Sequence, residues 1–122
     1  MKVFRTVINE NEYMFISEYY ETSKSWGHKT VLFKNGITIG ENKVRYINRT
    51  WESYTYQSVM QGLVYNLIES ELKDAIEFYK FNMGIKRISP KDKKEITEGF
   101  YQSKEIKELN KLQEVLRTGD WN

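Results

Sequence analysis

The sequence predicts an α+β domain, with an antiparallel sheet from the N-terminal half packed by helices from the C-terminal half. The N-terminal half has alternating apolar residues and contains the turn Asn35-Gly36, whereas apolar residues recur every three or four positions from about Tyr54 onward. The chain has 122 residues, of which 39% are hydrophobic and 30% charged, a globular composition. This length is enough for one hydrophobic core, so we expect a single domain over residues 1–122.

Two strands are predicted before the first loop. Residues 2–8 alternate between two faces, and residues 9–12 are a polar turn. Residues 13–21 are rich in aromatic and β-favouring side chains, which predicts the second strand. The polar stretch at residues 22–27 is then expected to be a loop.

The third and fourth strands are joined by the clearest local signal in the sequence. Asn35-Gly36 lies between the β-favouring runs 30–33 and 37–39. These two residue types accept the positive φ angles that a type I′ hairpin requires at both central positions. A two-residue turn here pairs Lys34 with Ile37.

The same register places Leu32 opposite Ile39, and it predicts that Leu32, Ile37 and Ile39 share the core face. Gly40 is expected to mark a bulge or bend before the extended pattern resumes at residues 43–47. The result is a four-stranded meander.

A long amphipathic helix is predicted over residues 54–82, with Gly84 as the glycine that follows its last turn. A break near Glu69-Ser70 would divide it into two helices, and the pattern leaves both possibilities open. Its apolar stripe consists of Tyr56, Val59, Met60, Leu63, Val64, Leu67, Ile68, Leu72, Ala75, Ile76 and Tyr79.

One or two shorter helices follow. Ser89-Pro90 is a helix start, since serine caps the first turn and proline suits the first helical position. Ile96 and Phe100 are expected to be the buried positions of this helix. A last apolar stripe, between Ile106 and Leu116, packs against the sheet or pairs with a second copy, so monomer and homodimer both remain open.

Several classes of function lack support in the sequence. There is no Cys and only one His, His28, so thiolate and His-rich metal sites are excluded and no cofactor is implied. Neither a phosphate-binding glycine loop nor a nucleophile elbow is present. We therefore expect a protein that is not an enzyme.

The expected location is the cytoplasm of a bacterial host. No apolar run approaches the ~18 residues that a membrane span needs. The chain enters an alternating pattern from Met1 without a signal-peptide stretch, and it has no Cys for disulfides.

Two groups of residues are candidates for binding. The first lies where strand gives way to helix, and it combines arginine with aromatic side chains, as interface hot spots do. Its partner-binding residues are Arg45, Tyr46, Arg49, Trp51 and Tyr54. The second is a basic segment between helices, suited to nucleic acid or an acidic protein surface. It consists of Lys86, Arg87, Lys91, Lys93 and Lys94.

A resemblance adds a context for these residues. The run 48–58, following Lys34-Asn35-Gly36, resembles small accessory proteins of phages and mobile elements in low-GC Gram-positive bacteria, a population that includes small anti-CRISPR proteins. It covers the middle of the chain and carries no functional residues with it. The resemblance implies interference with a host system.

The sequence therefore supports two hypotheses. In the first, the protein is a non-catalytic inhibitor that binds a host protein, for example a CRISPR or other defence nuclease, and acts by occlusion. Arg49, Trp51 and Tyr54 would anchor the interface while the basic segment steers association. In the second, the protein is a small DNA-binding regulator that uses the basic segment and dimerises through its last helix.

Overall fold

The structure, a computed structural model, describes residues 1–46 and 56–119. It confirms the α+β class, because a four-stranded antiparallel sheet in the order β1-β2-β3-β4 precedes three helices. The strands are β1 Lys2–Ile8, β2 Asn11–Glu21, β3 Trp26–Lys34 and β4 Ile37–Tyr46, and the helices are α1 Tyr56–Met83, α2 Pro90–Gln102 and α3 Lys104–Thr118.

Both hairpins at one end of the sheet turn through two residues with positive φ. Asn35 and Gly36 have φ of 51° and 81°, as the predicted type I′ turn requires. The β1–β2 turn uses Asn9 and Glu10 in the same way, with φ of 50° and 70°. The backbone N–H of Glu12 donates to Asn35 Oδ1 at 2.9 Å, so the two hairpin ends are tied together.

The predicted register of the second hairpin holds only next to the turn. Lys34 pairs with Ile37, but Leu32 pairs with Gly40 rather than with Ile39. The register shifts between Leu32 and Phe33, because one extra residue of β4 is accommodated there as a bulge. Leu32 is fully buried and Ile39 packs on the core, whereas Ile37, beside the turn of an edge strand, is 70% exposed. The prediction that Ile37 belongs to the core is wrong.

The loop predicted at residues 22–27 is shorter than expected. β3 already begins at Trp26, and Gly27 pairs with Tyr20 on one side and with Arg45 on the other. A Cβ at Gly27 would collide with the carbonyl oxygen of Val44, so glycine is required for this close approach of strands.

Helix α1 is continuous through Glu69-Ser70, which settles the question of a break. It ends in a Schellman motif: the N–H of Gly84 donates to the Phe81 carbonyl at 3.2 Å, and that of Ile85 to the Lys80 carbonyl at 3.1 Å. Gly84 has φ of 64°, as predicted for the residue after the last turn.

Helix α2 starts as predicted, because the Ser89 side chain accepts the N–H of Asp92 and Pro90 occupies the first turn. Ile96 and Phe100, however, are only half-buried, and no α2 residue is fully buried. The reason is geometric, since α2 lies at the outer side of the helical layer and Phe100 reaches the core only at its edge.

The core lies between one face of the sheet and helices α1 and α3. The last apolar stripe is part of this core, so it packs within the chain rather than against a second copy. The buried core consists of Ile8, Tyr13, Phe15, Leu32, Met60, Leu63, Val64, Ile68, Ile106, Leu109, Leu112 and Leu116.

Candidate functional site

Helix α1 extends well past the end of the sheet. Its first turn lies near His28, where the Tyr56 and His28 rings are 4.9 Å apart. Further along, Leu67 and Glu71 line a cavity of about 200 Å³ together with Lys34 and Ile39 of the hairpin end. The remaining 12 residues, 72–83, therefore project beyond the sheet by about 18 Å at 1.5 Å per residue.

The projecting end of α1 exposes large apolar side chains. Phe78 and Phe81 are 68% and 83% exposed, and Met83 and Ile85 are exposed as well. Phe78 follows Met60 by 18 residues and Phe81 follows Leu63 by 18, a spacing of five helical turns. The two phenylalanines thus continue the stripe that the first half of α1 buries, at a level where no described strand covers it.

The basic segment adjoins this apolar end. Lys86, Arg87, Lys91, Lys93 and Lys94 are all exposed, and Asp92 is the acid among them. Within the described chain they form the turn after α1 and the start of α2. We call the combination the distal surface. Its members are Phe78, Phe81, Met83, Ile85, Lys86, Arg87, Lys91, Lys93 and Lys94.

The distal surface joins two properties that partner-binding sites combine. Phenylalanine supplies a large contact area that leaves water on binding, whereas lysine and arginine attract a partner of opposite charge over longer distances. Exposed apolar residues that occur singly need no explanation, but Phe78 and Phe81 are neighbours one helical turn apart, and the five cations follow them in the chain, a combination typical of an interaction site.

Of the five predicted partner-binding residues at the strand-to-helix junction, the structure describes two. Arg45 is exposed near the end of β4, and the backbone of Tyr46 pairs with Trp26. Arg49, Trp51 and Tyr54 lie outside the described residues. Arg45 and Tyr46 lie at the sheet end where α1 begins, whereas the basic segment follows the other end of this 28-residue helix, about 40 Å away. One small interface therefore does not include both the basic segment and the part of this group that the structure describes.

His28, expected in or beside the loop at residues 22–27, is a buried residue of the sheet. It lies on the inner strand β3, is 7% exposed, and stands edge-on to the rings of Tyr19 and Tyr56. Burial lowers the pKa of His28 below its ordinary value, since a charged imidazole is poorly solvated there. This environment favours a neutral structural histidine.

Among the described carboxylates, Glu108 on α3 is the one whose pKa departs from its ordinary value, and the sequence pattern did not single it out. It is 2% exposed, and its Oε1 accepts hydrogen bonds from Tyr13 Oη and Asn11 Nδ2, each at 2.6 Å. Burial by itself raises the pKa of Glu108, but these bonds and the charges of Lys34 and Lys104 lower it overall. Burial, and secondly the hydrogen bond to Glu108, raise the pKa of Tyr13.

The Glu108 cluster is a network of side-chain hydrogen bonds between α3 and the hairpin end of the sheet. Asn11 and Tyr13 each donate one hydrogen bond to the carboxylate, and Asn11 Oδ1 accepts a further bond from Asn35 Nδ2 at 2.9 Å. The chain of contacts therefore links α3 to both hairpin ends.

A shallow groove of about 600 Å³ lies between α1 and α3. Its floor includes Gly62, and Gln113 Nε2 donates across it to the Gln61 carbonyl at 2.9 Å. Tyr65 and Arg117 also line it. These side chains offer hydrogen bonds to a polar ligand, but they do not bring a general base next to a nucleophile.

Within residues 1–46 and 56–119, no three His, Asp or Glu side chains are grouped so as to hold a metal ion. None of the helices described is both long and apolar enough to cross a membrane. No protein-family model, curated protein or solved structure matches this chain.

The apolar half of the distal surface was missed by sequence reasoning. The predicted stripe of α1 follows Leu72, Ile76 and Tyr79, which are half-buried, and passes over Phe78 and Phe81. The 18-residue spacing from Met60 and Leu63 was the available signal. This spacing places both phenylalanines on the sheet-facing side of α1, and the structure places them beyond the end of the sheet.

Proposed function

We propose that this chain is a non-catalytic binding protein that uses the distal surface to bind an acidic protein of its host cell. The observation that carries the proposal is the exposure of Phe78 and Phe81, at 68% and 83%, beside five exposed cations. In the context that the resemblance implies, the partner is a defence nuclease, and the protein acts by occluding the surface it covers.

The apolar residues would supply most of the affinity. Complete burial of a phenylalanine side chain is worth about 1.5–3 kcal/mol, so Phe78 and Phe81 together contribute about 3–6 kcal/mol. Because α1 continues as a rigid helix into the distal surface, little conformational freedom is lost when these rings are buried.

The basic segment would act on the rate of association. Its cations are exposed and so remain strongly screened by salt, which makes them poor sources of affinity but effective in steering. We therefore expect a partner surface that has an apolar pocket rimmed by Asp and Glu.

Duplex DNA is the alternative occupant, as in the second hypothesis from the sequence. The structure gives two reasons to prefer a protein. Exposed phenylalanines have no counterpart on a sugar-phosphate backbone, and the stripe of α3 that would hold a regulator's dimer together lies in the chain's own core.

The test compares four variants in binding to host proteins, measured by affinity capture followed by surface kinetics on the captured partner. Phe78→Ser/Phe81→Ser is expected to speed dissociation by at least ~100-fold. Lys91→Glu/Lys94→Glu is expected to slow association and to flatten its salt dependence. The matched controls are Tyr65→Ser, an exposed aromatic on the same helix, and Lys107→Glu/Lys111→Glu on α3.

Equal capture of the same proteins by wild type and both distal variants would refute the proposal. A 30-base-pair duplex is tested in parallel. Micromolar binding to it that weakens steeply with salt, and is lost in Lys91→Glu/Lys94→Glu but kept in Phe78→Ser/Phe81→Ser, would support the DNA-binding alternative instead.

A further inference from the structure

The sheet has a second face that none of the described helices covers. The helices pack on the face that carries Phe15 and Leu32. On the opposite face, Ile16 pairs with Val31 and Met14 pairs with Phe33, which places four apolar side chains side by side on the two central strands. All four are half-buried by their neighbours in the sheet and remain open on one side.

This pattern of residues differs from the one expected for a sheet with one solvent-exposed face. An antiparallel sheet covered on one side usually alternates apolar and polar residues, whereas strands covered on both sides have continuous apolar runs. Residues 13–16 read Tyr-Met-Phe-Ile and residues 31–33 read Val-Leu-Phe. The central strands therefore have the composition of strands that are covered on both faces. On β1, Val3 enlarges the open patch, being 42% exposed and paired with Ile16.

The charges around the patch indicate what covers it. In the row next to Ile16 and Val31, Glu18 of β2 pairs with Lys29 of β3, and both are exposed. Two neighbouring strands thus carry opposite charges at the same level. A two-fold axis that runs parallel to the strands, between β2 and β3, would place β2 of one copy over β3 of the other.

We propose that this open face is the contact between two copies of the chain, packed sheet to sheet about such an axis. Ile16 then faces Val31 of the second copy, Met14 faces its Phe33, and Glu18 faces its Lys29. A two-fold interface must be self-complementary, and this arrangement satisfies that condition both for the apolar pairs and for the ion pairs.

The alternative two-fold axis, perpendicular to the strands, is disfavoured by charge. With the axis midway between the two apolar rows, so that these four residues still pack on one another, it would stack β2 upon β2 and reverse the order of the rows. Glu18 would then face Glu12 of the second copy, and like charges in direct opposition are destabilising. The charge pattern therefore selects the axis parallel to the strands.

The arrangement would give four layers, helix–sheet–sheet–helix. Layers pack about 10 Å apart, so the two α1 helices would lie about 30 Å from each other. The axis keeps both hairpin ends at the same end of the dimer, and both distal surfaces would project in the same direction. This last consequence depends on the proposed function, whereas the interface itself does not.

The first experiment measures the mass of the full chain in solution by light scattering at about 100 μM. The wild type is expected to be a dimer, and Ile16→Ser/Phe33→Ser a folded monomer. Lys29→Glu alone should weaken dimerisation at least tenfold, and Glu18→Lys/Lys29→Glu should restore it, since the exchange preserves each pair. Phe78→Ser/Phe81→Ser serves as the control and should remain dimeric. A monomeric wild type, or a charge exchange that folds but does not restore the dimer, would overturn the proposal.

The second experiment does not depend on disrupting the interface. The chain has no Cys, so Val3→Cys/Glu41→Cys introduces two thiols at positions on the two edge strands, about 14 Å apart within one copy. This distance is too long for a short bismaleimide to bridge inside the chain. The proposed axis places Val3 opposite Glu41 of the second copy, across the ~10 Å that separates packed sheets, so a short bismaleimide should yield a covalent dimer. Val7→Cys/Glu41→Cys, two rows out of register, is the control; equal cross-linking in both variants, or in neither, would overturn the proposed axis.

Dimerisation and partner binding are distinguishable in these assays. Loss of the dimer in Ile16→Ser/Phe33→Ser with one-to-one partner binding retained would leave the distal surface as proposed. Loss of partner binding in Phe78→Ser/Phe81→Ser with the dimer retained would leave the sheet interface as proposed.

Discussion

Replacing Tyr13 with phenylalanine tests whether the buried carboxylate of Glu108 is held ionised by its donors. The change removes one of the two hydrogen bonds that Glu108 Oε1 accepts at 2.6 Å, and Asn11 remains as the other donor. A hydrogen bond to a charged group contributes about 1.5–3 kcal/mol. We therefore expect Tyr13→Phe to lower the free energy of unfolding by about this amount at pH 7, which corresponds to a fall in Tm of about 5–15 °C.

The cost of Tyr13→Phe is also expected to depend on pH. The pKa of Glu108 is lower in the folded chain than its ordinary value of 4.5, so the carboxylate stabilises the fold above that pH. The contribution disappears as the pH falls through the folded-state pKa. The difference between wild type and Tyr13→Phe should consequently be largest near pH 7 and should shrink toward pH 3.

Urea denaturation at pH 7 and pH 3 measures both effects, with Tyr19→Phe, on the same strand and half exposed, as the control. In a Glu108→Gln background the cost of Tyr13→Phe should fall below about 1.5 kcal/mol, because only a neutral hydrogen bond is lost. An equal cost of Tyr13→Phe at both pH values and in both backgrounds would refute the role of the ionised carboxylate.

Three further changes are predicted from the fold. Glu10 has φ of 70°, so Glu10→Gly should raise stability by about 0.5–1 kcal/mol in thermal denaturation, and no gain would argue against strain in that turn. Gly27→Ala should cost about 2 kcal/mol or more, because its Cβ meets the Val44 carbonyl; a stable, fully folded variant would contradict the close approach of β3 and β4. Because the pKa of His28 is lowered from 6.5, wild-type stability should fall as pH drops below 6.5, and His28→Gln should not show that first decline in denaturation curves from pH 8 to 5.5.

Local rules were sufficient for most of the fold. The turn at Asn35-Gly36, the start of α2 at Ser89-Pro90 and the end of α1 at Gly84 were predicted from the sequence, since each depends on the backbone preferences of one or two residues. The continuity of α1 was left open because the stripe's spacing is compatible with a break.

The errors have a different origin. Ile37 was assigned to the core from its register next to the turn, which is correct, but its position beside the turn of an edge strand leaves it exposed. Half-burial of Ile96 and Phe100 likewise depends on where α2 lies in the helical layer. These outcomes reflect how elements meet, which periodicity within one element does not determine.

The candidate sites show the same division. The cations of the basic segment were visible as a cluster in the sequence, but Phe78 and Phe81 became part of a surface only because α1 is longer than the sheet it covers. Glu108 looked like one more polar helix position, since its donors Asn11 and Tyr13 are nearly a hundred residues away in the chain.

The most direct test of the distal surface is site-specific photo-cross-linking in host cells. A photoreactive phenylalanine analogue is placed at position 81, and in a matched control at position 65, where the native tyrosine is also exposed on α1. We expect one acidic protein to be cross-linked from position 81 and not from position 65, and to be cross-linked more slowly when Lys91→Glu/Lys94→Glu is added. Cross-linking that is absent from position 81, or the same from both positions, would contradict the central claim.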